Sequence, residues 1–282
     1  GTATRAAYVS ESSAVCNTTQ SAVGLVSVEA STNGRDFSSG GAQYEFMSVS
    51  VSSLTPWNGP TLGGTVVTLG GTGLAQEALE CRFGAQGAVP ASVHGGVGAV
   101  CVTPSVGVTG WASVELLSHA AVLRAGGSFY VHASLWVSAV LPSSGPVSGG
   151  TRLAVVGSGF REAATLCCRL DVSGATVVAR VVSTSQLECT APAASGVGDR
   201  ALEVSMNAQQ YSSSGVQYTY RLAVAVSSVS PSRGAAEGGT PVTLMGSGFS
   251  AAAEALGELW CRFNGTATRA AYVSESSAVC NT

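Results

Sequence analysis

Eight cysteines, three histidines and a few Asn-x-Ser/Thr tripeptides are the residues of this 282-residue chain whose types could do chemistry. Thiols cross-link in oxidising compartments, bind soft metals or act as nucleophiles, and spacing separates these uses. Cys81, Cys168 and Cys261 each precede an arginine and a bulky apolar residue, and Cys101, Cys189 and Cys280 each follow about twenty residues later. Cys16 stands at the same landmark as Cys280, and Cys167 is left over beside Cys168. The adjacent Cys167-Cys168 lacks the spacing of a redox dithiol. His94, His119 and His132 show no ligand spacing, so no zinc site is expected. Gly157-Ser158-Gly159 and Gly246-Ser247-Gly248 lack the G-x-S-x-G spacing of a nucleophile elbow, and no glycine-rich loop leads into a helical pattern. No catalytic residue, cofactor or metal site is assigned, and an enzyme is not expected.

The elements that must position these residues are repeated. Gly1–Thr18 and Gly265–Thr282 are the same eighteen residues, GTATRAAYVSESSAVCNT, at an offset of 264. Chance does not keep such a stretch identical, so a tandem array with that period is expected. A shorter period sits inside it. Pro56-Trp-Asn-Gly-Pro60-Thr-Leu-Gly63-Gly64-Thr65, Pro142-Ser-Ser-Gly-Pro146-Val-Ser-Gly149-Gly150-Thr151 and Pro231-Ser-Arg-Gly-Ala-Ala-Glu-Gly238-Gly239-Thr240 line up, and Gly73-Leu74, Gly159-Phe160 and Gly248-Phe249 follow them. Each is followed by its Cys-Arg-Phe/Leu and its second cysteine, and in the first two an alternating Val-Glu-Leu type segment and an aromatic-ended one, Phe129-Tyr130 or Tyr218-Thr-Tyr220, come next. The first 46 residues carry only the second half of this pattern, through Val26-Ser-Val28-Glu29 and Tyr44-Glu-Phe46. Two-residue alternation with glycine punctuation predicts short strands and excludes long helices. Asn33-Gly34 predicts a tight hairpin turn, because both residues tolerate positive φ.

These landmarks, recurring in one order three times, resemble the immunoglobulin-like IPT/TIG domain. The resemblance implies an all-β fold of tandem immunoglobulin-like sandwiches. We read residues 1–47 as the C-terminal half of a module, 48–131 and 132–220 as complete modules, and 221–282 as the N-terminal part of a module of the type cut at residue 1. No Gly/Ser-rich or Pro-rich linker separates them, which predicts a linear rod.

In-module spacing pairs Cys81 with Cys101, Cys168 with Cys189 and Cys261 with Cys280, the alternative being buried free thiols. Cys16 is expected to pair with a cysteine upstream of residue 1. On a strand, neighbours face opposite ways, so inward Cys168 and Cys261 place Cys167 and Trp260 outward as candidate intermolecular contacts; a shielded free thiol is the alternative for Cys167. Sequons at Asn17 and Asn264, and at Asn281 if the repeat continues, fit N-glycosylation in a secretory protein.

The chain is 45% apolar but only 10% charged, with a net charge of −3 and no lysine. The absent basic run argues against nucleic acid. Low charge leaves little repulsion between copies. No apolar run is long enough to span a membrane, and no signal peptide is visible. The expected role is the repeat unit of a large extracellular glycoprotein that forms a fibre, sheath or surface appendage by self-association; the alternative is a binding module of a receptor ectodomain or adhesin.

Overall fold

The computed structural model of the chain describes residues 3–74, 78–95, 98–118, 121–170 and 175–282, with backbone only at 121 and 124–126. The N-terminal segment holds two separate hairpins, β1 (Ala6–Ser10) with β2 (Ser13–Cys16) and β3 (Gly24–Ser27) with β4 (Gln43–Phe46). The first complete module comprises β5 (Ser50–Thr55), β6 (Asn58–Pro60), β7 (Val66–Thr72), β8 (Leu79–Phe83), β9 (Val89–His94), β10 (Gly98–Val102), β11 (Gly110–Ser118) and β12 (Ala121–His132). They wrap in the order β5-β7-β10-β9-β8-β11-β12-β6.

The second module comprises β13 (Trp136–Leu141), β14 (Ser144–Pro146), β15 (Arg152–Ser158), β16 (Cys167–Arg169), β17 (Thr176–Val178), β18 (Arg180–Ser183), β19 (Gln186–Thr190), β20 (Gly198–Ala201), β21 (Glu203–Ser205) and β22 (Gln217–Arg221). These form sheets β13-β15-β19-β18, β14-β22-β20 and β17-β16-β21. The last segment carries β23 (Ala225–Ser230), β24 (Pro241–Ser247), the single-turn helix α1 (Ala251–Ala255), β25 (Trp260–Phe263), β26 (Thr266–Ser274) and β27 (Ser277–Asn281), in the sheet order β23-β24-β27-β26-β25.

Alternation in sequence becomes a two-faced sheet. Leu79, Cys81 and Phe83 of β8 all point inward against Val67, Leu69, Val114 and Phe129. The second module repeats this with Leu153, Val155, Cys168, Leu187, Leu202 and Tyr218. A smaller cluster of Phe249, Leu259, Cys261, Ala270, Ala278 and Cys280 closes the third segment. Sandwich burial of such aliphatic and aromatic side chains contributes roughly 1.5–3 kcal/mol each.

The Gly-Gly-Thr landmark is a turn clamped to the residue two places after the second cysteine. Gly63, Gly149 and Gly238 adopt φ of 74°, 73° and 84°, and a Cβ on Gly63 would lie 2.5 Å from the Pro104 carbonyl carbon. Only glycine meets both conditions cheaply. The amides of Gly64 and Gly150 then bond the carbonyls of Thr103 and Ala191 at 2.8 and 2.9 Å. The bonds before Pro56, Pro142 and Pro231 are all cis, at one corresponding point of each module.

The Asn33-Gly34 expectation is corrected. β3 and β4 are joined by the loop 28–42, and Asn33 folds a turn inside it by accepting the amides of Arg35 and Asp36, both at 2.9 Å. Polar side chains here compete with strand pairing, so the hairpin is not tight.

Candidate functional site

Three disulfides join Cys81–Cys101, Cys168–Cys189 and Cys261–Cys280, across Cα separations of 6.3, 6.5 and 6.3 Å. Each ties the Cys-Arg strand, β8, β16 or β25, to β10, β19 or β27, the strand paired with the one that follows Gly-Gly-Thr. Cys16 is exposed and unbonded within this chain.

Cys167 requires a correction. It does face away from Cys168, yet it is only 6% exposed, so it is not available for an intermolecular bond. The turn after β21 covers it, and Tyr211 places its hydroxyl 3.7 Å from the Cys167 sulfur. Burial, then that hydrogen bond, push the Tyr211 phenol up to about 12. Arg169 stacks on the other side of the contact, its guanidinium carbon 3.7 Å from the Tyr211 ring centre. Trp260, at the equivalent position, is 51% exposed; its indole donates to the Gly257 carbonyl at 2.8 Å and Arg269 lies over its ring.

Asn17, Asn264 and Asn281 are all exposed. Asn264 sits at φ 43° in the two-residue turn that joins β25 to β26, a conformation asparagine tolerates. His94 is exposed at the end of β9, His132 is buried at the end of β12, and His119 lies outside the described residues. Among the described residues no group of three or more metal-ligating side chains comes together, and no helix is long and apolar enough to cross a membrane.

The module junctions hold the chemistry that sequence reading missed. Asn207 opens a tight turn by accepting the amides of Gln209 and Gln210, both at 3.0 Å, with Ala208 at φ 58°. The turn drives both glutamines into the first module. Gln209 accepts the Val66 amide at 2.8 Å and donates to the Val66 carbonyl at 2.9 Å, which mimics a strand pair. Gln210 donates to the Gly64 carbonyl at 2.9 Å and accepts the Thr65 hydroxyl at 2.9 Å. Asn207 donates to the Asn58 carbonyl at 3.2 Å, and Asn58 and Thr65 are fully buried. Arg161 adds a cation–π contact, 4.4 Å from the Tyr130 ring centre. Each bond contributes roughly 1 kcal/mol net, and its partners would cost more if left buried and unpaired.

The second junction uses the same corner with different chemistry. Ser143 and Ser144 correspond to Trp57 and Asn58, one step after the cis proline. Glu258 of the third segment accepts the Ser143 amide at 2.8 Å and the hydroxyls of Ser143 and Ser144, both at 2.9 Å. Arg221 donates to Ser250 across the same junction. A cleft of about 430 Å³ lies beside it, lined by Pro142, Pro146, Arg221, Val224 and Leu259 among others. Residues 133–135 and 222–224 are all that separates the flanking strands, which accords with the absence of linkers in the sequence.

One local signal could have been read. Asn207-Ala-Gln-Gln stands between two strands that the sequence otherwise marks by hydrophobic alternation. Its partners lie more than 140 positions away, so no periodicity shows what it grips.

The IPT/TIG domain family matches residues 50–129, 135–220 and 225–282. Human Fibrocystin-L is 35% identical over 116 residues, which are 39% of this chain and 3% of that protein. The full extracellular region of plexin A4 aligns at 18% identity and a TM-score of 0.47, covering 82% of this chain and 20% of that one. The Escherichia coli adhesin FdeC aligns at 13% identity and a TM-score of 0.28, covering 84% of this chain and 91% of that one.

Proposed function

The chain belongs to the IPT/TIG domain family, and from that premise we propose that it is the structural repeat unit of a large extracellular glycoprotein that builds a fibre, sheath or cell-surface appendage. The observation that carries this reading is the way successive modules are joined. Two corresponding corners, Trp57-Asn58 and Ser143-Ser144, are gripped by the following module through Asn207 and Glu258. Such contacts cost side-chain entropy and fix the angle between neighbours, which suits a linear rod and is superfluous for independent beads on a string. The eighteen-residue identity at an offset of 264 supports equivalent contacts along an array. Three disulfides and exposed Asn17, Asn264 and Asn281 support a secreted, glycosylated setting. The role requires no catalytic group, cofactor or metal. Trp260, half exposed, is a candidate lateral contact between rods.

Electron microscopy of the native secreted material tests this. Fibres with regular axial order are expected; a monodisperse monomer across the accessible concentration range would overturn the reading.

The receptor or adhesin alternative has one observation in its favour. Trp111 is 61% exposed and stacks on Trp57 with ring centres 5.7 Å apart, beside Tyr130 at 5.2 Å. Such a platform suits a partner's apolar side chain or a sugar ring. Substituting Trp111 with alanine separates the readings, because it abolishes partner binding in the second and leaves fibres unchanged in the first.

A further inference from the structure

The turn at Asn33 and the turn at Asn207 are one device. Glu29 and Ser31 precede the first as Glu203 and Ser205 precede the second, and each closes on a serine, Ser38 or Ser212. Asn207 accepts the amides of Gln209 and Gln210, and Asn33 those of Arg35 and Asp36. Ser205 donates its hydroxyl to Asn207 at 3.2 Å, as Ser31 does to Asn33 at 3.0 Å. The Ser212 amide donates to the Val204 carbonyl and its hydroxyl accepts the Val204 amide, both at 2.9 Å. Ser38 does the same with Ala30, at 2.9 and 3.0 Å. Ala208 and Gly34 both take positive φ, 58° and 71°. The last side chain is held alike too, Asn207 donating to Gln210 at 2.6 Å and Asn33 to Asp36 at 2.7 Å. In the Asn207 turn this frame aims residues 209 and 210 at the Gly64-Thr65-Val66 corner of the preceding module. The same frame presents Arg35 and Asp36 to a corner of the same kind.

The second module has that corner. Its Gly150 amide bonds the Ala191 carbonyl and its Thr151 carbonyl accepts the Ala191 amide, at 2.9 and 2.8 Å. Gly64 and Thr65 bond Thr103 in the same way, at 2.8 and 2.9 Å. Arg152 pairs with Thr190 as Val66 pairs with Val102. The backbones are therefore presented alike, and the side chains differ in charge. Neutral Gln209 and Gln210 meet Val66, whereas Arg35 and Asp36 match a corner that carries the exposed Arg152 in its place. A carboxylate at 36 can accept the Thr151 hydroxyl, as Gln210 accepts that of Thr65, and pair with Arg152. A guanidinium at 35 can donate to the Gly150 and Arg152 carbonyls, the counterparts of those the glutamines bond.

The third corner obeys the same logic. Pro241 follows Gly238-Gly239-Thr240, and proline has no amide to give. In the repeating order the next module is of the 48–131 type, whose sequence holds no Asn between Glu115 and Phe129 to open such a turn.

We infer that Arg35 and Asp36 grip the Gly150-Thr151-Arg152 corner of the preceding 132–220 module, Asp36 on Thr151 and Arg152, Arg35 on the carbonyls. The contact lies within one chain and adds a second hold to the junction that Glu258 makes. The residue after Gly-Gly-Thr, Val66, Arg152 or Pro241, then specifies which module can follow. This rests on the array in the fibre reading and names the charge pair that sets its order.

Hydrogen exchange tests it, in a chain that runs from residue 1 to 282 and continues with a second copy of residues 19–46. Amide exchange over residues 149–152 is expected to slow about tenfold relative to the 282-residue chain. Arg152→Glu, on the far side of the contact, removes that slowing. Asp36→Asn in the added copy recovers part of it, because the repulsion goes while an acceptor for Thr151 stays. A turn that only orders its own loop would not respond to Arg152. The 282-residue chain supplies a second reading at the junction it already holds. Gln209→Arg with Gln210→Asp speeds exchange over residues 63–66 about tenfold, and adding Val66→Arg recovers most of it. No slowing in the longer chain, slowing indifferent to Arg152→Glu, or no rescue by Val66→Arg overturns the inference. Native fibres together with such a negative result sink this grip and leave the fibre reading intact. A contact that responds as expected, without native fibres, sinks the fibre reading alone.

Discussion

Ala6–Cys16 and Ala270–Cys280 have one sequence and two environments. Both fold as the same hairpin, Ala6 opposite Cys16 and Ala7 opposite Val15 in one, Ala270 opposite Cys280 and Ala271 opposite Val279 in the other. Even the irregularity recurs, after Tyr8 and after Tyr272. Burial differs completely. Tyr8 is 76% exposed, while Tyr272 packs against the third core. Cys16 is exposed, while Cys280 is buried in a disulfide. The difference comes from β24 and β25, which flank the second copy, whereas among the described residues β1 and β2 pair only with each other. Local sequence therefore specifies pairing and register, and only the neighbouring strands turn an apolar face into a core.

Twin substitutions probe this difference most strongly. Ala278→Asp places an unpaired charge in a fully buried site and should cost the third segment about 4 kcal/mol, whereas Ala14→Asp, its counterpart, should change nothing measurable. Thermal unfolding of the two variants reads both; equal losses would contradict the contrast. Cys280→Ser should cost about 3 kcal/mol by opening the link to Cys261, and Cys16→Ser should be neutral in this chain.

The junctions sharpen the same lesson at smaller scale. Gln209→Ala removes both bonds to Val66 and should weaken docking of the first two modules by about 2 kcal/mol, seen as faster amide exchange at Val66. His132, at the same junction, has its pKa lowered by burial, partly offset by its bond to the Ala133 carbonyl. Its Nε2 has no partner among the described residues. The folded state thus favours neutral imidazole, so stability is full above the ordinary value of 6.5 and declines as pH falls below it. His132→Gln should flatten that acid limb; an unchanged limb would assign it to another group.

Which parts were legible follows from range. Strand alternation, the Gly-Gly-Thr turns and the cysteine landmarks act within one module, so a single chain displays them three times. Cys167 misled because alternation tells which face a residue takes but not what covers that face, and Tyr211 covers it here. Asn33-Gly34 misled because the side chain of Asn33 satisfied backbone amides that a tight hairpin would have paired across strands. Glu258 and Gln209 were invisible for a different reason: their partners belong to another module, and the two junctions use unlike residues for one purpose. Arg82–Glu115 and Arg169–Glu203 were present in the sequence as separate landmarks, and only the register joined them.

The central claim is that these modules serve as a continuous structural array. The axial repeat of native assemblies in cryo-electron micrographs tests it most directly. Three modules of strands rising about 3.3 Å per residue give roughly 110–130 Å for a straight array and less for a zigzag one. A regular axial repeat at or below that length, with density continuous from one three-module unit to the next, is the predicted result. Short isolated rods with no axial order would contradict it.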